Sequence, residues 1–340
     1  MTKLKILILG INGFIGNSLA ARILDTTDWE VQGLDLSTHK LENYLNHPRL
    51  HFHQGDLTHS QEWLAEKIQW CDMVFPLVAI ANPAIYVEDP LRVFELDFEA
   101  NLQVVRLCVK YQKRVIFPST SEVYGMCPDK EFDEETSPLV LGPINKPRWI
   151  YSCSKQMMDR VISAYGQRGE LQYTLFRPFN WIGPKLDDIK NPNPKSSRAI
   201  IQFIGNILRG QDITLVNGGK QRRSFTYIDD CIDALMKIIE NKNNSAAQGI
   251  FNIGNPNNDI SIIELAELLV QQIKTYPEYS ALAAKTKLIP VKATEHFGEG
   301  YQDVEARVPS IKRAKQYLDW EPRTDLPTAI KHILDYHIVK

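Results

Sequence analysis

Lys5-Ile-Leu-Ile-Leu-Gly10-Ile-Asn-Gly13-Phe-Ile-Gly16 decides the reading of this chain. Ile6 to Leu9 form an apolar run of strand length, and the stretch 14–24 has the spacing of an amphipathic helix. The three glycines between them, spaced Gly-x-x-Gly-x-x-Gly, join strand to helix, the context in which such a loop cradles a pyrophosphate. Gly10 allows the tight turn, Gly13 lets the backbone approach phosphate, and Gly16 lets helix pack against strand. Asn12, Phe14 and Ile15 belong to the same candidate loop.

The pattern repeats outward. Apolar runs at 30–35, 50–53, 72–77, 114–118 and 172–176 alternate with helical segments at 60–68, 91–111 and 148–167. Near-continuous apolar strands are those buried on both faces of a parallel sheet, so the expected fold is α/β, a doubly wound (Rossmann) parallel sheet. Proline- and glycine-containing loops dominate 178–225, and a helix at 261–274 follows a turn read at Asn252-Ile-Gly-Asn-Pro256. Residues 1–177, with about 226–254, are expected to bind a dinucleotide. Residues 178–225 and 255–340 are expected to form a smaller lobe over the strand ends. The stretch 187–195, rich in Asp, Asn and Pro, reads as a surface loop.

Asp35 ends the second strand about twenty residues beyond Gly16, where a carboxylate accepts both ribose hydroxyls and repels a 2′-phosphate; the expected cofactor is NAD. Asp56 is placed to meet the adenine amino group, and Leu57 and Ala79 are further candidates for the cofactor site.

Bulk properties exclude several classes. At 340 residues, 44% hydrophobic and 24% charged, the chain has the composition of a soluble globular protein. A net charge of −2 gives no electrostatic case for nucleic acid or a membrane surface. The first strand leaves no room for a signal peptide, and no apolar run approaches the roughly 20 residues that span a bilayer. Five scattered cysteines form neither a disulfide framework nor a zinc pattern, so a cytoplasmic setting is expected. The eight histidines, four of them crowded at His47, His51, His53 and His59, lack ligand spacing, and no metal is assigned.

Tyr151 and Lys155 lie four residues apart, hence on one helix face. An ammonium there favours tyrosinate, lowering a phenol pKa of ~10 and giving a base for a sugar hydroxyl. Ser119-Thr-Ser-Glu122 sits at the carboxyl end of the strand 114–118.

Together these motifs resemble the extended short-chain dehydrogenase/reductase superfamily. Four longer stretches sharpen the likeness: Phe117–Met126, Asn145–Tyr151, Phe176–Pro184 and Gly300–Arg307. They resemble one subfamily, the UDP-glucuronate 4-oxidative decarboxylase domain of the bifunctional polymyxin-resistance enzyme. The formyltransferase domain fused ahead of that domain has no counterpart in this sequence, so only the decarboxylase half is implied. The resemblance implies that Tyr151 is the base, that Lys155 tunes it and holds the nicotinamide ribose, and that Thr120 bonds the sugar 4-hydroxyl. It implies that Glu122 and Arg307 serve decarboxylation and that Ser121 faces the substrate carboxylate. Asn180, Arg198, Gln221, Arg223 and Tyr301 are implied in binding the nucleotide of UDP-glucuronate. Thr214 departs from the family, which has a lysine there. Dehydratases of the superfamily carry an aspartate where Ser121 stands, which disfavours elimination. A homodimer through the helices 91–111 and 148–167 is also implied.

Other readings remain open: UDP-xylose or UDP-apiose as product if the hydride is returned, or another UDP-sugar 4-epimerase or dehydratase of the same superfamily. The apiose enzymes carry cysteines where this chain has Ala81 and Ser121, which counts against that branch. A non-catalytic NAD sensor on the same fold needs only the glycine loop, so the presence of Thr120, Tyr151 and Lys155 argues against it.

Overall fold

The computed structural model describes residues 3–190, 197–297 and 301–339. Residues 191–195 of the expected surface loop and Gly300 of the fourth motif lie outside them.

Seven parallel strands form the central sheet: β1 (Lys5–Leu9), β2 (Glu30–Asp35), β3 (Leu50–Gln54), β4 (Met73–Pro76), β5 (Arg114–Pro118), β6 (Tyr173–Pro178) and β7 (Gly249–Ile253). Their order is β7-β6-β5-β4-β1-β2-β3. β1 shows why these segments are strands. Ile6 and Ile8 enter one core while Leu7 and Leu9 enter the other, and all are fully buried. Each contributes about 1.5–3 kcal/mol by leaving water, so an alternating apolar run is held from both faces.

The core on the Leu7 face is closed by helices Gln61–Trp70, Asn101–Tyr111 and Trp149–Gln167, through Leu64, Val105, Cys108 and Met158. The Ile6 face is closed by helices Phe14–Thr26 and Ile228–Glu240. That second core runs on without a break into the C-terminal helices through Ile204, Leu265 and Ile330. Helix Ile262–Ile273 starts with a reciprocal capping box between Ser261 and Glu264, which fixes its N-terminus. No helix among the described residues is long and apolar enough to cross a membrane.

Two expectations are corrected. The turn read at Asn252–Pro256 begins inside β7, where Asn252 is buried and donates to Phe132 O and Ser310 O. The continuous helix expected over 91–111 is three pieces: Pro90–Phe94, a π-helical turn Glu95–Ala100, and Asn101–Tyr111.

Strand order reverses between β1 and β4. Loops leaving their carboxyl ends diverge there and open a crevice, the general ligand position in doubly wound sheets.

Candidate active site

The glycine loop adopts the geometry its spacing requires. Gly10 has φ +84°, which L side chains avoid, and a Cβ on Gly16 would lie 2.4 Å from Gly10 O. Helix Phe14–Thr26 starts at Gly13 with no side-chain cap, so its first amides remain for an anion. Asp35 closes the loop from β2: Oδ2 accepts the Asn12 N–H at 2.8 Å and Oδ1 the Leu36 N–H at 2.8 Å. Asn12 in turn accepts the Lys40 N–H at 2.7 Å and donates to Ser37 Oγ. Asp56 accepts from the Thr58 N–H and hydroxyl through one oxygen, bonds that hold its pKa below the usual range. Leu57 is buried, and Ala79 lies in the loop after β4.

On the other side of the crevice, β5 ends at Pro118 and passes into the 3₁₀ turn Ser121–Tyr124. Thr120 caps this turn, its hydroxyl accepting the Glu122 N–H at 3.2 Å, and Ser121 is buried beside it. Helix Trp149–Gln167 carries Tyr151 and Lys155 to the same place. Tyr151 bonds to Thr120 and stacks on Tyr86, ring centroids 4.6 Å apart and 8° from parallel. Lys155 is buried, donates to Pro118 O at 3.2 Å, and lies over the Phe117 ring at 4.8 Å.

The electrostatics differ from the expectation for this pair. Burial pushes the Tyr151 phenol well above its ordinary pKa, and Asp97 and Glu122 push it the same way; the Thr120 bond opposes them. Lys155 Nζ is 6.0 Å from the Tyr151 ring centroid. Burial lowers the Lys155 pKa, while Asp97 and Asp159 hold it up. Without cofactor these surroundings thus push the Tyr151 pKa up, opposite to the lowering expected from an ammonium at Tyr-x-x-x-Lys spacing.

Glu122 anchors the other half of the site. Its Oε2 accepts from Arg148 Nη2 at 2.9 Å, and its Oε1 faces Arg307 Nη1 at 3.2 Å. Burial disfavours its charge, but Arg148, Arg307 and Arg223 outweigh that and hold its pKa below the usual range. Arg223, buried too, donates to Val304 O at 2.8 Å and Asp303 Oδ1 at 2.7 Å. Among the described residues, three buried guanidinium groups thus face two carboxylates, Glu122 and Asp303. Arg148 Nε and Nη1 and Arg307 Nε are buried with no hydrogen-bond partner among the described residues, a cost of about 1–3 kcal/mol per donor left unmet. The Arg148 guanidinium also lies over the Trp149 ring, 4.4 Å from its centroid, and the cluster adjoins Thr120 through Glu122.

The remaining sequence candidates have varied surroundings. Tyr301 lies beneath Arg148, ring centroid 5.6 Å from the guanidinium carbon. Asn180, at φ +40°, donates to Ser224 O at 3.2 Å and so ties the end of β6 to the short strand Arg222–Ser224. Gln221 O accepts the Ile262 N–H at 3.0 Å. Arg198 pairs with Asp187 at 2.5 Å and is half-exposed, unlike the buried Arg223 with which it was grouped. Sequence reasoning missed Arg148, Tyr86 and Asp97. Arg148 stood inside a quoted motif, but nothing in the sequence alone separates it from a surface arginine.

A family model for the NAD dependent epimerase/dehydratase family matches residues 6–254. The chain belongs to that family. It is 53% identical to the PbgP3 protein of Burkholderia pseudomallei, covering 99% of this chain and 96% of that one, with a TM-score of 0.90. It is 25% identical to a UDP-glucose 4-epimerase of Thermotoga maritima solved with UDP-glucose, covering 98% of each, with a TM-score of 0.80. A UDP-glucuronic acid 4-epimerase of Bacillus cereus, solved with UDP-glucuronic acid and NAD, shares the fold at 23% identity, 98% coverage of each and a TM-score of 0.81.

The family's cofactor is NAD, and the residues present fit it. The uncapped helix start would take the pyrophosphate and Asp35 the ribose, and buried Lys155 beside Tyr151 would face the nicotinamide end.

Proposed function

We propose that the chain oxidises UDP-glucuronate at C4 and decarboxylates the product to a UDP-4-keto-pentose. The observation that carries this reading is the buried arginine cluster around Glu122, with its unmatched donors adjoining the Thr120–Tyr151 pair. An alcohol-oxidising pair needs no such cluster beside it unless the substrate bears an anion close to the oxidised carbon, apart from the diphosphate that every UDP-sugar carries. A uronic acid carries one at C6.

Bound NAD+ supplies the hydride acceptor for C4 and a positive charge near Tyr151. Thr120 bonds the 4-hydroxyl, and Tyr151, once it has lost its own proton to solvent beside the bound nicotinamide and Lys155, takes the hydroxyl proton, so that the C4 alcohol loses one proton and one hydride. The ketone at C4 then stands β to the C6 carboxylate, and the C5–C6 bond breaks with release of CO2. Its electron pair passes into the C5–C4–O4 system, where hydrogen bonds from Tyr151 and Thr120 stabilise the enolate. Arg148 and Arg307 orient the carboxylate with Glu122 beside them, and C5 takes up a proton from solvent after CO2 has left. Asn180, Arg198 and Gln221 serve the UDP-bearing end; Arg223 and Tyr301, which the resemblance groups with them, pack in the Glu122–Arg148 cluster and so adjoin the carboxylate. A homodimer in the cytoplasm is the expected setting.

A substrate panel tests the assignment. NADH should form with UDP-glucuronate and not with UDP-glucose, which lacks the carboxylate. Equal rates with the two would overturn the role given to the arginine cluster.

A further inference from the structure

Arg177 is a buried arginine that the chemistry above leaves unused. It stands in β6, a strand buried along its length, and its side chain is 4% exposed. A charge taken out of water there costs several kcal/mol, and a well-packed apolar residue of similar volume would hold the strand as firmly. What Arg177 supplies is reach. Nη2 donates to Asp159 Oδ2 at 3.2 Å and Nη1 to the Tyr124 hydroxyl at 2.9 Å, and the guanidinium carbon lies 4.9 Å from the Tyr124 ring centroid. A pair built for strength would be bidentate. Here Asp159 Oδ1 and Arg177 Nε have no hydrogen-bond partner among the described residues, and the fork is split between two elements.

Those two elements carry the reactive groups. Asp159 lies on the helix Trp149–Gln167, one turn beyond Lys155. Its Oδ2 also accepts from Ser119 Oγ at 2.7 Å, next in the chain to Thr120. Tyr124 ends the 3₁₀ turn that holds Ser121 and Glu122. Its hydroxyl donates onward to Asn252 Oδ1 at 2.9 Å. Asn252 in turn donates to Phe132 O and Ser310 O, and the Phe132 N–H donates to Val308 O at 2.7 Å, beside Arg307. A buried chain of hydrogen bonds therefore runs under the site, and Arg177 is the link between its two halves.

We propose that Arg177 is a positioning residue: holding Asp159 with one nitrogen and Tyr124 with the other, it fixes the Tyr151–Lys155 helix against the turn that presents Thr120 and Glu122. This rests on the reading of those side chains as the groups that handle proton and carboxylate. Proton and hydride leave the same alcohol, so Tyr151 and Thr120 have to meet it together. A misplacement of about 1 Å costs on the order of 10²-fold in rate.

Tyr124→Phe removes one hydroxyl and leaves the ring among Val123, Phe132 and Phe179. It should lower kcat for UDP-glucuronate oxidation roughly tenfold or more, with KM and NAD+ affinity within about twofold of native. Arg177→Met should do the same, and Tyr124→Phe added to it should cost nothing further, because the link is already open. A kcat unchanged per folded molecule, a loss carried by KM, or losses that multiply in the double variant each overturn the proposal. If Arg177→Met does not fold, Tyr124→Phe decides through its kcat and through geometry. Crystal structures of the native and Tyr124→Phe proteins with NAD+ should show the Ser121–Tyr124 turn displaced against the helix Trp149–Gln167 by about 0.5 Å or more. Coincident positions contradict the proposal. Inactivity of the native chain toward UDP-glucuronate alongside a displaced turn sinks the proposed function and sustains this inference.

Discussion

Arg148 Nη2 donates to Glu122 Oε2 at 2.9 Å, between side chains only 2% and 13% exposed. The bond uses one of the guanidinium nitrogens and leaves Nε and Nη1 without a hydrogen-bond partner among the described residues, between the Trp149 and Tyr301 rings, and the proposed function gives Arg148 the substrate carboxylate. Arg148→Ala should lower kcat/KM for UDP-glucuronate roughly 10- to 100-fold, the worth of one charge-assisted hydrogen bond. UDP should still compete with nearly native affinity. Equal losses for both would place Arg148 at the nucleotide instead.

Glu122 links site chemistry to acid stability. Its folded pKa is depressed, so its ionisation stabilises the fold above the unfolded value near ~4.3, and that contribution is lost as pH falls through the folded pKa. Glu122→Gln should remove this acid-side loss while destabilising the protein at pH 7, because three buried arginines then lose a partner. Urea unfolding at pH 4 and pH 7 measures both arms. The same variant should reduce kcat without raising KM, since a negative charge beside the substrate carboxylate has been removed.

Tyr151 should behave as two different acids. In the free protein its phenol stays protonated past the usual range near ~10. Bound NAD+ adds positive charge and should bring the titration down, visible as ultraviolet tyrosinate absorbance lost in Tyr151→Phe. That variant should abolish hydride transfer with NAD binding retained. An identical titration with and without NAD+ would count against Tyr151 as the base.

Glu134 offers a prediction away from the reaction. It is buried, accepts the Asn252 N–H at 2.7 Å, and burial raises its pKa to about 7. A raised carboxyl pKa means that stability grows as pH falls from about 7 toward the unfolded value, and that ionised Glu134 costs stability at pH 8. Glu134→Gln keeps the acceptor and should stabilise the protein at pH 8 by about 1 to 3 kcal/mol, with little effect at pH 5. Denaturant midpoints at the two pH values check it.

The sheet was legible because its strands are buried on both faces. Ile6-Leu-Ile-Leu9 and Arg114-Val-Ile-Phe-Pro118 leave no polar alternation to confuse with a surface strand. β7 was missed because Asn252 interrupts its apolar run; only the folded chain supplies the Phe132 and Ser310 carbonyls that satisfy it. The π-turn leaves no mark in periodicity. Asp97 and Asn101 are its trace, polar residues on an otherwise apolar face, and both are fully buried. Thr120, Glu122, Tyr151 and Lys155 were found through motifs, and the structure brings them together. What the motifs could not give was the charge balance. That depends on which of the chain's arginines end up without water, a property of packing across elements as distant as Arg148 and Arg307.

The most direct measurement of the central claim is the ratio of CO2 to NADH when the protein turns over UDP-glucuronate carrying a labelled C6 carboxylate in the presence of NAD+. An oxidative decarboxylase releases the two in equal amounts. Release of CO2 without net NADH would mean that the hydride returns to the sugar, and release of neither would contradict the account at its root.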